Sequence, residues 1–271
     1  MDQEAALKIF GPNFIDPKIM TEHLGAQYSQ KDLEVLSVIP LDVKDAERPD
    51  PYDSSKLIKD IFVLYPTVLQ PTIMWEREWP FNFYFLFKKF GFVDKDNRII
   101  DKRLKLKADA LGIKFTQRDS SNVAWAKWFE DKSIPNHPIH RNFSVLNWRM
   151  MRKSPPPASL GLSHGDSELL AAQHGFSLPS LLDVLVMISG YYFSNVDSKK
   201  PNDFLNQPFW ENRDDFARLL SSVFIWTLDE CHVREKLIIG LNDAAGGIYI
   251  DKQDKDKISK LTGVLPLFVS K

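Results

Sequence analysis

A single cysteine, Cys231, stands in a chain of 271 residues. No internal disulfide can form, and one lone thiol suits a reducing compartment. Long apolar runs are missing as well. The longest uncharged stretch is fifteen residues, 61–75, and Pro66 and Pro71 interrupt it; it is too short and too broken to span a bilayer. The opening MDQEAALKIF carries acids early and lacks the basic flank and apolar run of a secretory signal. The expected location is therefore cytoplasmic, with no membrane association. A Walker loop and a dinucleotide fingerprint are both absent, so no nucleotide cofactor is expected. Acids are absent from residues 132–165 altogether.

The rest of the composition is ordinary for a globular protein: 44 % hydrophobic and 26 % charged. Such a chain can bury a core large enough to fold without a structural metal. Its net charge of −1 averages over an asymmetry. Residues 88–165 hold sixteen Lys and Arg against seven Asp and Glu, whereas the remainder holds nineteen against twenty-nine. A division of this kind marks either a surface for an acidic partner or a basic middle that pairs with the acidic flanks of its own chain.

KSPPPASLGLSHG, residues 153–165, gives the clearest break, because three consecutive prolines favour an extended path and exclude helix and central strand. It divides the chain into an N-terminal part, 1–153, and a C-terminal part, 164–271, joined by a Pro-rich connection at 154–163. Helical signals dominate both parts. Asp16-Pro17 starts and Gly25 stops one helix. Further helical runs are QKDLEVLSVI, KLIKDIFVLY, RIIDKRLKLKADAL, SNVAWAKWFEDK, SVLNWRMMRK, SELLAAQH, SLLDVLVMISGYYF, DDFARLLSSVFIW and KDKISKL. Strand signals are confined to GIYID and VLPLFVS near the end. The expected fold class is mainly α, with a small β element near the C-terminus and two helical subdomains. WPFNFYFLFKKFGF, residues 79–92, carries eight aromatic rings in fourteen positions. Pro80 and Gly91 bracket it, and Phe83, Phe87 and Phe90 share a helical face, so it is expected to be a core helix.

Gly161-Leu162-Ser163-His164-Gly165 matches the G-x-S-x-G nucleophile elbow, whose serine sits on a tight strand-to-helix turn. With Ser163 as nucleophile, Asp229 and His232 would complete a triad in the usual order for that fold. KSPPPAS cannot supply the buried strand before the turn, and a loop ending in an Asp166 helix cap reads better. Cys231 and His232 would point about 100° apart on a helix and so would not meet. His137 and His140 flank a proline in NHPIH and lack a third ligand, so no metal is expected. DKDNRIIDKRLK begins like a calcium loop but has Ile99 and Lys105 where glycine and an acid are required. Residues 170–186 have helix-turn-helix spacing, yet the second helix offers Leu182, Asp183 and Val186, which phosphate would repel. That segment reads as two packed helices.

The basic middle supports a non-enzymatic binding protein that engages an acidic macromolecule, nucleic acid ahead of acidic protein. Arg98, Lys102, Lys105, Arg149, Arg152 and Lys153 supply the cations, and Trp128 or Trp148 the stacking surface. The alternatives are a protein-interaction module using the apolar face of residues 178–186, such as an adaptor, inhibitor or immunity-like protein, and a serine hydrolase built on Ser163. No cofactor is expected in any of the three readings.

Overall fold

The computed structural model describes residues 1–74, 76–83, 85–86, 92–93, 115–117, 137–195, 224–232, 234–242 and 247–269. Within them lie thirteen strands in four sheets. This overturns the expectation of a mainly α fold with strand only near the C-terminus: one sheet has six strands, and a curled half-barrel is among the four.

The N-terminal helices follow their capping residues. In α1 (Gln3–Phe10), the Asp2 carboxylate accepts from the Ala5 N–H at 2.8 Å. Asp16 caps α2 (Pro17–Ile19), which continues as a π turn through Leu24 and stops at Gly25, φ +80°. In α3 (Gln30–Leu36), Ser29 and Asp32 form a reciprocal capping box, which satisfies two otherwise orphaned donors. Two short helices, α4 (Val43–Glu47) and α5 (Ile58–Ile61), flank a small hairpin of β1 (Pro49–Asp50) and β2 (Asp53–Leu57).

The central sheet has three antiparallel strands: β3 (Phe62–Pro66) and β13 (Leu267–Val269) pair on either side of β8 (Trp148–Arg152). Both β3 and β8 were expected to be helical. In β3 every residue is buried, and in β8 all but Arg149 are. A strand covered on both faces loses the alternation that would reveal it, and a short apolar run reads equally as helix. Phe62 pairs with Arg152 and Pro66 with Trp148, while Leu267 pairs with Met151. Strand therefore comes immediately before the prolines, and one 3-10 turn, Pro157–Ser159, lies among them.

A second sheet runs in the order β12 (Thr262–Gly263), β9 (Phe224–His232), β10 (Glu235–Asn242), β11 (Gly247–Asp254), β7 (Phe115–Gln117) and β6 (Phe92–Val93). Strands β9 to β11 form an antiparallel meander, whereas β12 joins β9, and β7 joins β11, in parallel. Of the helix expected over 214–226, residues 214–223 lie outside the described residues and Phe224–Trp226 are strand. The expected helix over 255–261 is replaced by turns in which the Lys257 and Thr262 amides donate to Asp254 and Ser259. The remaining hairpin is β4 (Thr72–Met74) with β5 (Arg77–Trp79).

Helices α6 (His164–Gln173) and α7 (Leu181–Asn195) occupy the places expected of them. α7 is buried on every side over residues 181–190, as a helix apolar all round must be. It shares one core with Ile15, Tyr65 and Met151 and with Ile225, Ile239 and Leu265. Each large aliphatic side chain so buried contributes roughly 1.5–3 kcal/mol. The core draws on residues from both sides of the 154–163 connection. In the aromatic stretch, residues 83, 85 and 86 are helical and Phe81, Phe83, Phe85 and Leu86 are buried. The Asn82 side chain caps this turn by accepting from the Phe85 N–H at 2.9 Å. Phe92 opens β6, and residues 87–91, where the helix was expected to end, lie outside the described residues.

Candidate functional site

A cleft opens where β9 meets the N-terminus of α7. Ser180, Leu181, Leu182 and Asp183 form a capping box written in sequence as S-x-x-D. The Asp183 N–H donates to Ser180 Oγ at 3.1 Å, and the Ser180 N–H donates to Asp183 Oδ2 at 3.0 Å. The Ser180 hydroxyl donates to the same carboxylate oxygen at 2.6 Å. The other oxygen, Oδ1, accepts from Tyr65 Oη at 3.0 Å and from Arg149 Nη1 at 2.5 Å. Burial and the Asp183 carboxylate together push the Tyr65 phenol well above its ordinary range, so it stays protonated as a donor.

A second aspartate reaches the same helix end from the sheet. The Leu228 N–H donates to Pro179 O at 2.9 Å and fixes β9 against the start of α7. Asp229 Oδ2 then accepts from the Leu181 N–H at 2.5 Å, and Oδ1 from Arg141 Nη1 at 2.8 Å. Asp229 is almost fully buried, with 1 % of its side chain exposed, whereas Arg141 is 50 % exposed. Burial raises the Asp229 carboxyl to about 6, against the opposing pull of the Leu181 N–H and Arg141, and nearby Asp183 adds to the rise.

Two Arg–Asp pairs thus stand side by side at a helix N-terminus. Formal charge cancels within the quartet, leaving the partial positive charge of the helix end. Arg141, Arg149, Asp183 and Asp229 line a cleft of about 220 Å³, with Phe143 and Ser177 among its other walls. Arg149 lies over the Phe143 ring, 4.8 Å from its centre, and its Nε is buried without a hydrogen-bond partner. The guanidinium of Arg141 spends one N–H on Asp229, and the side chain as a whole is half exposed. Such an arrangement can hold an anionic group, because guanidinium presents several donors in a planar fork.

Among the described residues of the proposed anion-binding set, Arg149 alone lines this cleft, and Asp229 of the alternative triad lines it too. Trp148 is buried: its indole N–H donates to Leu36 O at 3.1 Å, and its ring stacks on Phe14 with centres 5.4 Å apart. Arg152 is paired with Asp50 at 3.2 Å, the two side chains 5 % and 0 % exposed. Lys153 donates to Asn13 Oδ1 at 3.1 Å and sits 5.6 Å from the centre of the Tyr191 ring. Arg98, Lys102, Lys105 and Trp128 lie outside the described residues. The cations described between residues 141 and 152 therefore pair with carboxylates from the flanks of the chain, Asp50 before them and Asp183 and Asp229 after.

Ser163 is the N-cap of α6. Its hydroxyl donates to Asp166 Oδ2 at 2.7 Å and accepts from the Asp166 N–H at 3.2 Å. The cap is thus the serine, with Asp166 answering it three residues on. Asp229 is occupied by Leu181 and Arg141, and His232 ends β9. Neighbouring His164 is held by the Thr227 carbonyl at 3.1 Å, and burial lowers its pKa. His137 and His140 approach to 5.6 Å between ring centres around the Pro138–His140 turn. Among the described residues, no three metal-ligating side chains gather, and no helix is long and apolar enough to cross a membrane. The apolar face of 178–186 proposed for docking is inside: Leu178, Leu182 and Val186 are buried.

The sequence reading missed Arg141, Tyr65 and Ser180. The S-x-x-D box before an apolar run was a legible signal for Ser180 and Asp183. Nothing local marks Arg141 or Tyr65, whose partners lie 88 and 118 residues away. Comparison of the chain with family models, with curated proteins and with solved structures finds no match to it.

Proposed function

We propose that the protein is a non-enzymatic binding protein that takes an acidic protein segment into the cleft at the start of α7. Arg141 is the first point of contact and Arg149 the deeper one. The observation that carries this reading is the half-exposed Arg141 side chain beside a second arginine in one open cleft. The cleft, at about 220 Å³, falls below the roughly 300 Å³ at which ordinary small-molecule pockets begin. It suits a single carboxylate side chain presented by a larger partner.

An acidic protein is favoured here over nucleic acid. Tracking a phosphate backbone needs a strip of solvent-facing cations and accessible rings, whereas Arg152 and Trp148 are turned inward. The test is fluorescence anisotropy with a labelled, end-capped hexaglutamate and, separately, a single-stranded oligonucleotide at 50 and 200 mM salt. The expected result is hexaglutamate binding that weakens at least tenfold in Arg141→Ala. Absence of hexaglutamate binding overturns the reading. So does oligonucleotide binding that is tighter, steeply salt-dependent and indifferent to Arg141→Ala.

A further inference from the structure

The Arg141–Asp229 pair is asymmetric, and the asymmetry has a chemical consequence. One partner is half in solvent and the other is sealed in the protein. A carboxylate arriving from solvent meets the guanidinium first and competes with Asp229 for it. If the ligand wins, Asp229 keeps only the Leu181 N–H on Oδ2. An ionised carboxylate left in that position carries an uncompensated buried charge, the costly outcome of breaking a buried pair from one side.

The charged groups facing Asp229 do not rescue it. Asp183 from α7 is a like charge and disfavours ionisation. Lys236 from β10 favours it but holds Glu230 at 2.6 Å. Arg149 is already committed to Asp183. We propose that anion capture in this cleft is an exchange at Arg141, in which the ligand carboxylate replaces Asp229 on the guanidinium and Asp229 takes up one proton from solvent. The new O–H bond forms on Oδ1, the oxygen that Arg141 vacates, since Oδ2 continues to accept from Leu181. No other bond is made or broken. The exchange rests on the binding reading above and adds that the site is proton-linked.

The free carboxyl already titrates near 6, and losing Arg141 moves it further up. Hexaglutamate, with carboxylates near 4.3, stays ionised across the window used here. Its apparent Kd should therefore rise about tenfold per pH unit above pH 6 until the bound-state pKa is passed. Titration calorimetry at pH 7.5 in two buffers of different ionisation enthalpy counts the protons directly. Uptake should approach one per hexaglutamate in the wild type. In Asp229→Asn it should fall to near zero, with affinity flat between pH 6 and 8. Hexaglutamate binding with no uptake in the wild type overturns the exchange and leaves the binding site standing. Equal uptake in wild type and Asp229→Asn does the same, by placing the proton elsewhere. Failure of hexaglutamate to bind at all removes the binding reading, and this inference with it.

Discussion

Arg152→Met should be among the most damaging single substitutions in this protein, although Arg152 lies in the segment that looks most like a ligand surface. Its guanidinium pairs with Asp50 at 3.2 Å, with 5 % and 0 % of the two side chains exposed. It also donates to the Ser154 carbonyl and to Ser154 Oγ. Methionine keeps most of the volume but leaves the Asp50 carboxylate with only the Tyr52 N–H, at 3.3 Å. Removing one member of a buried pair costs about 3–5 kcal/mol, and the stranded Ser154 carbonyl places the expected loss near the middle of that range. By contrast, the exposed Lys8–Glu4 pair at 2.8 Å is of the type worth only a few tenths of a kcal/mol. Asp50→Leu combined with Arg152→Met removes both charges and should recover at least about 2 kcal/mol relative to the single variant. Urea unfolding followed by tryptophan fluorescence measures all of these. A cost below about 1 kcal/mol for Arg152→Met, or a double variant as unstable as the sum of its parts, would refute the assignment of Arg152 to the fold.

Asp229 gives a pH signature independent of any ligand. Its folded-state carboxyl titrates near 6, above the unfolded value of about 3.9. Its contribution to stability is therefore fully present below about pH 4 and is lost as pH rises through 6. Asp229→Asn should gain on the wild type by about 3 kcal/mol between pH 4 and pH 8, and a pH-independent difference in urea midpoint would contradict the burial argument. At Gly190 in α7, an added Cβ would lie 2.8 Å from Ile15 Cδ1 and 3.0 Å from Ile15 Cγ2. Gly190→Ala should cost about 1–3 kcal/mol despite the better helix propensity of alanine. Ile15→Val in the same chain should return part of the loss, as thermal unfolding of the two variants would show.

Legibility from sequence followed the range of the forces involved. Ends set by local hydrogen bonds were readable: Asp16-Pro17 with Gly25, Ser29 with Asp32, and the start of α6 all depend on partners within a few residues. Strands β3 and β8 were not readable, because their pairing partners lie more than eighty residues apart in sequence and both faces are covered. With no polar face, FVLYP and WRMMR carry no period of two. Strand β10, EKLIIGLN, is missed for a related reason, since its inward residues run consecutively: Leu237, Ile238 and Ile239 are all buried. The cleft was half legible. Its capping box is written in four consecutive residues, but the arginines that complete it come from a segment whose acidic partners are elsewhere.

That separation explains what the acid-free run over 132–165 accomplishes. On a helix or a hairpin, cations normally find carboxylates three or four positions away or directly across the strand. Arg141, Arg149 and Arg152 have no acid near them in sequence, so any ion pair they form must be tertiary. Their partners stand 88, 34 and 102 residues away. Together the pairs tie β8 to β1 and to α7, and the segment before β8 to β9, so all three form only when those elements have come together. Charge segregation along the chain thereby becomes long-range specificity in the fold. Two of the three pairs are closed to solvent or nearly so, with Arg149 only 13 % exposed. The third is open on its cationic side, and that difference in exposure, not the total of basic residues, is the reason Arg141 is the residue at which the proposed acidic partner would act.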